Sequence, residues 1–567
     1  MNGTQWLLFI LLVQVVHFLG TWRLYVKAGR KAWEAAVPIY NAVILMKIIK
    51  RPWWWVILLF IPIINLLMFP VIWVETIRSF GRNKIWESWV VVLTLGIYIF
   101  YVNYGLDVTY NPDRSLHPRT ALGEWVSSIV FAIVAATLVH TYFMQPYVIP
   151  TGSLERTLRI GDLLFVSKFH YGARAPMTTV AAPMVHDTLP GLGIRSYLNK
   201  PQLPYFRLPG FESVEKNDIV VFSWPADTVR VFFRKEKGVK KPIDKKSNYV
   251  KRCVGTPGDS LEVRNSFVYI NGKQLVLHDR AKPMYDYTLY AQKGVSSRLL
   301  RSSGVDEFTR KYLSGPLSQE QFNIVSKYLI GANQNDKGEI ELYAQAAGIP
   351  VEAIRAAGLN LREETGRERV ATMTDEMVAK IKADSRIDSI VKTMEAPGER
   401  GHNIFPQDPR YTWNNDNFGP IYLPRAGDKV AMNADVLPLY KKIIRDYENN
   451  TVSVRGNQVM INGEPADSYT FKMDYYWMMG DNRHHSEDSR TWGYVPANHI
   501  VGKPVFIWLS FDNFNAGLTK WRPRWKRIFT TVGGSGEPRS YLIPFLVFIG
   551  AWIVYARIRK RRKQNSG

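Results

Sequence analysis

The stretch "WVSSIVFAIVAATLVHTYFMQPYVIPTGSLERTL", residues 125–158, decides how the chain has to be read. Trp125–Met144 contains no Asp, Glu, Lys or Arg and has about the length a helix needs to cross a bilayer. Almost at once Ser153 follows, set behind Pro150 and Gly152. Serine in a Pro-Gly turn is ordinarily a solvated hydrogen-bonding residue. The rest of the chain has to say whether this one does chemistry.

Upstream, Trp6–Trp22, Trp53–Val74 and Trp89–Tyr104 are also nearly free of charge, and Leu542–Ala556 is a shorter apolar run near the other end. Trp53, Trp54, Trp55, Tyr101, Tyr104, Trp552 and Tyr555 crowd the run ends, as interfacial aromatic belts do. Buried core helices of a soluble protein account poorly for four such runs within the first 144 residues of 567. The first run lacks a basic flank before it and a small-residue cleavage site after it, so it reads as retained.

Basic residues set the orientation. Arg23, Lys27, Arg30, Lys31, Lys47, Lys50 and Arg51 face a single acid, Glu34, across residues 23–52, which predicts a cytoplasmic loop. The tail Arg557–Lys563 predicts the same side. About five transmembrane helices satisfy both, with residues 146–540 exported. In that count Arg78, Arg82 and Lys84 fall outside, against the rule; Pro62 and Pro70 offer a break that would turn the second run into a re-entrant hairpin. The net charge of +24 sits largely beside the apolar runs, where lipid headgroups explain it. No zinc-finger, RRM or basic-zipper pattern accompanies it, so nucleic acid is not an expected partner. One cysteine, Cys253, excludes an internal disulfide.

From residue 161, "DLLFVSKF", "DIVVFSW", "YVKRCVG" and "SLEVRNSFVYING" read as antiparallel strands bounded by Gly, Pro, Asn and Asp. The expectation is a mainly β exported domain of antiparallel, barrel-like sheets. Residues 260–275 and 451–466 echo each other, and their Asn-Gly pairs at 271–272 and 462–463 suit type I′ turns. Between the echoes, about 285–400, the chain is richer in charge and helix formers. Residues 339–349 and 374–394 predict helices, the latter capped by Thr374 with Met377, Ile381, Ile387 and Ile390 on one face. This reads as an α-rich insertion.

A serine hydroxyl needs a base. His484 and His485 lie in the polar run "GDNRHHSEDSR", and no histidine shows triad spacing. A lysine made neutral by burial is the other possibility. Lys251, between Tyr249, Val250, Cys253 and Val254 in an apolar strand, is the candidate; an outward-facing strand lysine is its bland alternative.

Taken together these pieces resemble the type I signal peptidases. "VIPTGSLERTL" resembles that family's nucleophile box, I-P-S-G-S-M-x-P-T-L, and "GDLLFVSK", "NDIVVFSWP" and "YVKRCVGTPGD" resemble the next boxes in order. "MGDNRHHSEDSRTWGYVP" resembles the last, G-D-N-R-D-N-S-x-D-S-R-x-W-G. The resemblance covers about 120–275 and 410–510. It implies Ser153 as nucleophile, Lys251 as general base, and an oxyanion hole from the Ser153 N–H and the Thr151 hydroxyl. It implies that Ser486 orients the lysine and that Asp481, Arg483, Asp488 and Arg490 brace the site. Leu154, Arg156 and the His484–His485 pair depart from the pattern, at places where methionine, proline and Asp-Asn are usual.

The implied activity is removal of signal peptides from exported preproteins after small residues (Ala-x-Ala type), with no metal or organic cofactor. Implied partners are secretory preproteins and membrane lipid, with the export machinery as a further expectation. The implied place is a bacterial-type inner membrane, catalytic domain on the outer face. Two alternatives stay open: a related Ser/Lys protease of narrower substrate, and a non-catalytic scaffold that binds exported chains. The expected layout is a membrane block at 1–105, a membrane helix at 120–145, catalytic halves at 146–275 and 411–515 around the insertion at 276–410, and an anchor at 516–567.

Overall fold

A computed structural model describes residues 3–117, 120–227 and 239–565, with side chains as far as Arg562, so Lys563 of the basic tail falls outside. Among the described residues three helices are long and apolar enough to cross a membrane: Gly3–Lys27 (α1), Ala121–Phe143 and Leu542–Arg562. The count of about five is not reached by single helices. The block between the first two consists of α2 (Tyr40–Ile48), α3 (Trp55–Phe60), α4 (Ile64–Ser79), α5 (Ile85–Leu93) and α6 (Tyr98–Tyr104), before Ala121–Leu138 (α7) and the π-turn Val139–Phe143.

The second expected span breaks between α3 and α4, at Pro62, where Ile63 takes a positive φ of 70°. Proline lacks the N–H that would continue the ladder. The third expected span breaks between α5 and α6, which are bent by 118°. Gly96 makes that bend: its φ is 87°, and a Cβ there would lie 2.8 Å from the Trp73 ring.

The loops of this block gather on one side. Glu75 at the end of α4 accepts from Arg51 Nε at 3.0 Å and from Arg114 Nη2 at 2.7 Å. Arg114 Nε also donates to Ser79 Oγ, and the Asn111 N–H to the Ser79 carbonyl. A straight crossing would carry Glu75 to the far face from Arg51. Instead the break between α3 and α4 brings Glu75 back beside Arg51, which precedes α3.

The helix ending at Phe143 passes without a linker into the central sheet. Its strands are β1 (Met144–Val148), β2 (Asp162–Ser167), β3 (Ile219–Ser223), β4 (Asn248–Gly255), β5 (Tyr475–Met479), β6 (Val495–Pro496) and β7 (Ile500–Asp512). They lie in the order β1-β2-β7-β3-β4-β5-β6, every pair antiparallel. β3 and β5 are buried throughout, as strands covered on both faces should be. The sheet is thus built from the two halves of sequence that flank the insertion.

The two echoed segments are matching three-strand meanders, Ser260–Gln274 and Val452–Pro465. Asn271 and Gly272, like Asn462 and Gly463, all have positive φ, the requirement of a type I′ turn. The side-chain Oδ1 atoms of Asn271 and Asn462 each accept from a backbone N–H eleven residues earlier, of Ser260 and Thr451.

The insertion is not α-rich. Its sheet runs Leu329–Gln334, Ile340–Gln345, Glu307–Ser314, Glu368–Met373, Tyr285–Tyr290, Ser389–Lys392, with Arg362–Glu364 beside Glu307–Ser314. Short helices, Ser297–Ser302, Gln319–Ser326, Val351–Ala356 and Asp375–Lys382, fill its connections. Residues 339–349, expected as helix, form a strand instead. Leu342 and Ala344 are buried on one side, so period-two burial overrides the helix propensity of Glu and Ala. The helix expected over 374–394 stops at Lys382, and Ser389–Lys392 joins the sheet. Its start is as expected: Thr374 Oγ1 accepts from the Met377 N–H.

Candidate active site

The nucleophile-box turn is pinned from beneath. Leu154 and Leu158, spaced as one helical turn, are both buried among Ile149, Leu164, Val166, Val221 and Ile507. The Gly152 carbonyl accepts from the Glu155 N–H, and the Leu154 carbonyl from the Thr157 and Leu158 N–H groups. With the leucines held below, Thr151, Gly152 and Ser153 face a cleft.

That cleft is a cavity of about 1780 Å³. Ser153, Thr151 and Lys251 all line it, together with Tyr147–Pro150, Asn248–Val250, Asn482, His485 and Glu487. Lys251 is 2% exposed, on β4, which lies between β3 and β5 in the sheet. Burial pushes its ammonium from an ordinary 10.5 down to about 8, a fall partly offset by Asp488 and Glu487. The outward-facing alternative for Lys251 is therefore set aside.

The last box supplies the walls. Gly480 separates two of its key groups: a Cβ there would stand 2.2 Å from Ser486 Oγ and 2.5 Å from the Ser153 carbonyl. Only glycine lets Ser486 and the Ser153 backbone come this close. Ser486 Oγ is buried with no hydrogen-bond partner among the described residues, so the expected bond to Lys251 is not formed here. Such bonds commonly tighten only when substrate is bound.

Asp481 holds Arg252 through a two-point ion pair, 2.8 and 2.6 Å, and accepts from Thr157 Oγ1 at 2.6 Å. Burial opposes ionisation of Asp481, but Arg252 and Thr157 outweigh it and hold the carboxyl below its usual range. Asp488 likewise pairs with Arg490 at 3.0 and 2.8 Å and accepts from the Gly480 N–H. Arg490 Nη2 donates to the Arg483 carbonyl, and the Arg483 side chain is buried with its Nε unpartnered among the described residues. These four residues surround the site without lining the cavity.

Sequence reasoning missed Asn482, Arg252 and Glu307. Asn482 donates from its backbone N–H to the Ser153 carbonyl at 3.1 Å, and from Nδ2 to the Gly152 carbonyl at 3.2 Å. The strand alternation of Lys251 and Arg252 was the available signal for the second: one faces the cavity, the other Asp481. For Glu307, on the insertion, nothing in the sequence marked it. Among the described residues no group of three His, Cys, Asp or Glu is placed to hold a metal ion.

A β-domain carried on membrane-length helices, with one cleft holding a turn serine and a desolvated lysine, has the architecture of a membrane-attached serine peptidase. The profile of the family "Signal peptidase, peptidase S26" matches residues 122–313 and 423–509, and that of a family of unknown function matches 33–113. The chain is 29% identical over 157 residues to "Signal peptidase I" of Rickettsia massiliae (strain Mtu5), covering 28% of this chain and 46% of the relative. It is 24% identical over 399 residues to "Signal peptidase I" of Buchnera aphidicola subsp. Acyrthosiphon pisum (strain APS), covering 70% and 77%. The match thus spans about half the length of the Rickettsia protein. Residues 122–313 and 423–509, just under half of the chain, thus carry the domain of the signal peptidase family.

Proposed function

We propose that this protein is a membrane-bound serine endopeptidase that removes signal peptides from exported preproteins, cutting after small residues of the Ala-x-Ala type. The observation that carries the reading is the shared cleft: Ser153 and the buried Lys251, lowered to about 8, line one cavity. Neutral Lys251 takes the Ser153 proton as Oγ attacks the scissile carbonyl. The resulting oxyanion is met by the Ser153 N–H and the Thr151 hydroxyl, a donor class worth about 3–4 kcal/mol of barrier. The lysine then returns its proton to the leaving amine, and water hydrolyses the acyl-enzyme with Lys251 again as base. Ser486 orients the lysine, while Asp481, Arg483, Asp488 and Arg490 brace the walls.

The catalytic domain stands on the outer face of a bacterial-type inner membrane and the basic tail in the cytoplasm. Counted as five crossings, or as three with α3–α4 and α5–α6 re-entrant, the parity is the same. The Arg51–Glu75–Arg114 cluster favours three, because it joins loops that five crossings would separate. Arg78, Arg82 and Lys84 then lie on the cytoplasmic side with the other basic residues. Exposed Leu192, Ile194, Leu198, Phe206 and Phe211, on the segment between β2 and β3, support contact of the domain with lipid.

The test is cleavage of an Ala-x-Ala preprotein by the detergent-purified chain and by Ser153→Ala and Lys251→Met. Cleavage by the parent and its loss in both variants is the expected result. Equal cleavage by Lys251→Met would refute the dyad, and no cleavage by folded parent would refute the peptidase reading.

A further inference from the structure

We infer that the insertion, residues 285–393, is a positioning element of the active site: through Arg156 and Asn482 it fixes the turn that carries Ser153. The inference rests on the reading of Ser153 as nucleophile. Two independent sets of contacts reach that turn from the insertion.

The first runs through Arg156, three residues past Ser153. Its Nη2 donates to the Gly304 carbonyl and, at 2.7 Å, to Asp306 Oδ2. The Arg156 side chain is 13% exposed, so it is held against the insertion rather than free in solvent. Its backbone φ is 71°, a left-handed conformation that a non-glycine residue keeps only when its surroundings impose it. The Gly304 and Asp306 contacts are that imposition. Relaxing Arg156 to an ordinary φ re-aims the chain between Ser153 and the buried Leu158.

The second runs through Glu307, on the strand that follows Asp306. Glu307 Oε2 accepts from Asn482 Nδ2 at 2.8 Å. The same Nδ2 donates to the Gly152 carbonyl, and the Asn482 N–H to the Ser153 carbonyl. The carboxylate therefore fixes the amide that holds both residues of the Gly152–Ser153 peptide. Below this point the insertion is anchored to the last box by a backbone exchange: the Met284 N–H bonds the Asp481 carbonyl, and the Arg483 N–H bonds the Met284 carbonyl.

The insertion also completes the cleft. Glu307, Phe308 and Thr372 line the same cavity as Ser153 and Lys251. A cap with no share in the chemistry would need none of the contacts to Asn482 or Arg156.

The test compares the full chain with Arg156→Ala, Glu307→Ala, and the exchange Arg156→Asp with Asp306→Arg. The readouts are kcat and KM on a preprotein, hydrogen exchange at amides 152–158, and the thermal midpoint. A misplaced nucleophile costs on the order of 100-fold in rate. The expected result is a kcat loss of about 10–100-fold for each single variant, with KM changed less than about threefold. Exchange at 152–158 should quicken at least about tenfold while β3 and the insertion strands keep their protection. The charge exchange should recover at least half of the logarithmic loss seen in Arg156→Ala. Unchanged exchange at 152–158 in both single variants would overturn the inference, as would loss of protection throughout the insertion with no recovery on charge exchange. If the parent chain cleaves no preprotein, the peptidase reading fails by itself, and the exchange readout still decides whether the insertion fixes this turn.

Discussion

The sharpest consequence of the site is its acid limb. Lys251 titrates near 8 rather than at 10.5 because burial disfavours its charged form, with Asp488 and Glu487 restoring part of the loss. In the proposed mechanism the neutral amine is the base, so activity should rise with pH and be lost as pH falls through about 8. At pH 7 about one-tenth of the lysine is neutral, against about three in ten thousand for an unperturbed side chain. The difference, about 300-fold in available base, corresponds to about 3 kcal/mol between the two protonation states. The assay is kcat/KM for a preprotein from pH 6 to 10, since that ratio reports the free enzyme. Glu487→Gln supplies the perturbation: removing a negative charge that favours the ammonium should move the limb down, by less than about one pH unit because Glu487 is exposed and screened. Activity at pH 7 rises accordingly. A limb near 6.5 that vanishes in His485→Ala would refute the reasoning, and so would a limb that moves upward in Glu487→Gln.

Gly480→Ala forces a methyl against Ser486 Oγ and the Ser153 carbonyl, so kcat should fall at least about 30-fold, equivalent to about 2 kcal/mol of strain at the site; wild-type kinetics would sink that packing argument. His485 titrates above its ordinary value because it bonds Asp286, so the pair's stabilisation is full below pH 6.5 and is lost as pH rises through the elevated value. Its half-exposed site limits this to under about 1 kcal/mol, and the gap in denaturation midpoint between parent and His485→Ala should narrow from pH 5.5 to 8.5; a constant gap would count against it. For the re-entrant arrangement, an impermeant maleimide applied to intact cells should label Lys337→Cys and spare Asn83→Cys, with the single native Cys253 silent because it is buried; equal labelling of both would refute three crossings.

Much of this was legible because the chemistry depends on short, contiguous residue runs. Ser153, Lys251, Ser486, Asp481 and Asp488 each sit in a box whose local order is the structure, and the paired Asn-Gly turns are set by the φ values those residues favour. What stayed hidden is long-range. Glu307 and Asn482 are 175 positions apart, and no periodicity predicts their bond. Arg156 stands where proline is usual, but its partner Asp306 lies 150 residues on, and a proline fixed near −65° cannot adopt the +71° seen here. Likewise His484 and His485 both bond Asp286 of the insertion, which their polar neighbours in sequence gave no cause to expect. The strand at Ile340–Gln345 was misread because Glu and Ala favour helix locally, while sheet partners supplied by distant segments decide the outcome. The bent apolar runs show the same limit: composition marks where a chain enters lipid, not whether it leaves on the other side.

The direct passage from the π-turn at Phe143 into β1 at Met144 has a mechanical consequence. Ser153 lies ten positions after Phe143, so it stands at most about 33 Å from the end of that helix, and less where the turn at 151–158 folds back. At the other end of the domain Arg524 and Arg527 converge on Asp162, and the Tyr541 N–H bonds the Phe529 carbonyl immediately before the last apolar helix. A body moored at two points by stiff fastenings keeps its height and tilt. In the proposed arrangement the enzyme therefore works as a ruler, selecting cleavage sites by their distance from the bilayer as well as by their side chains.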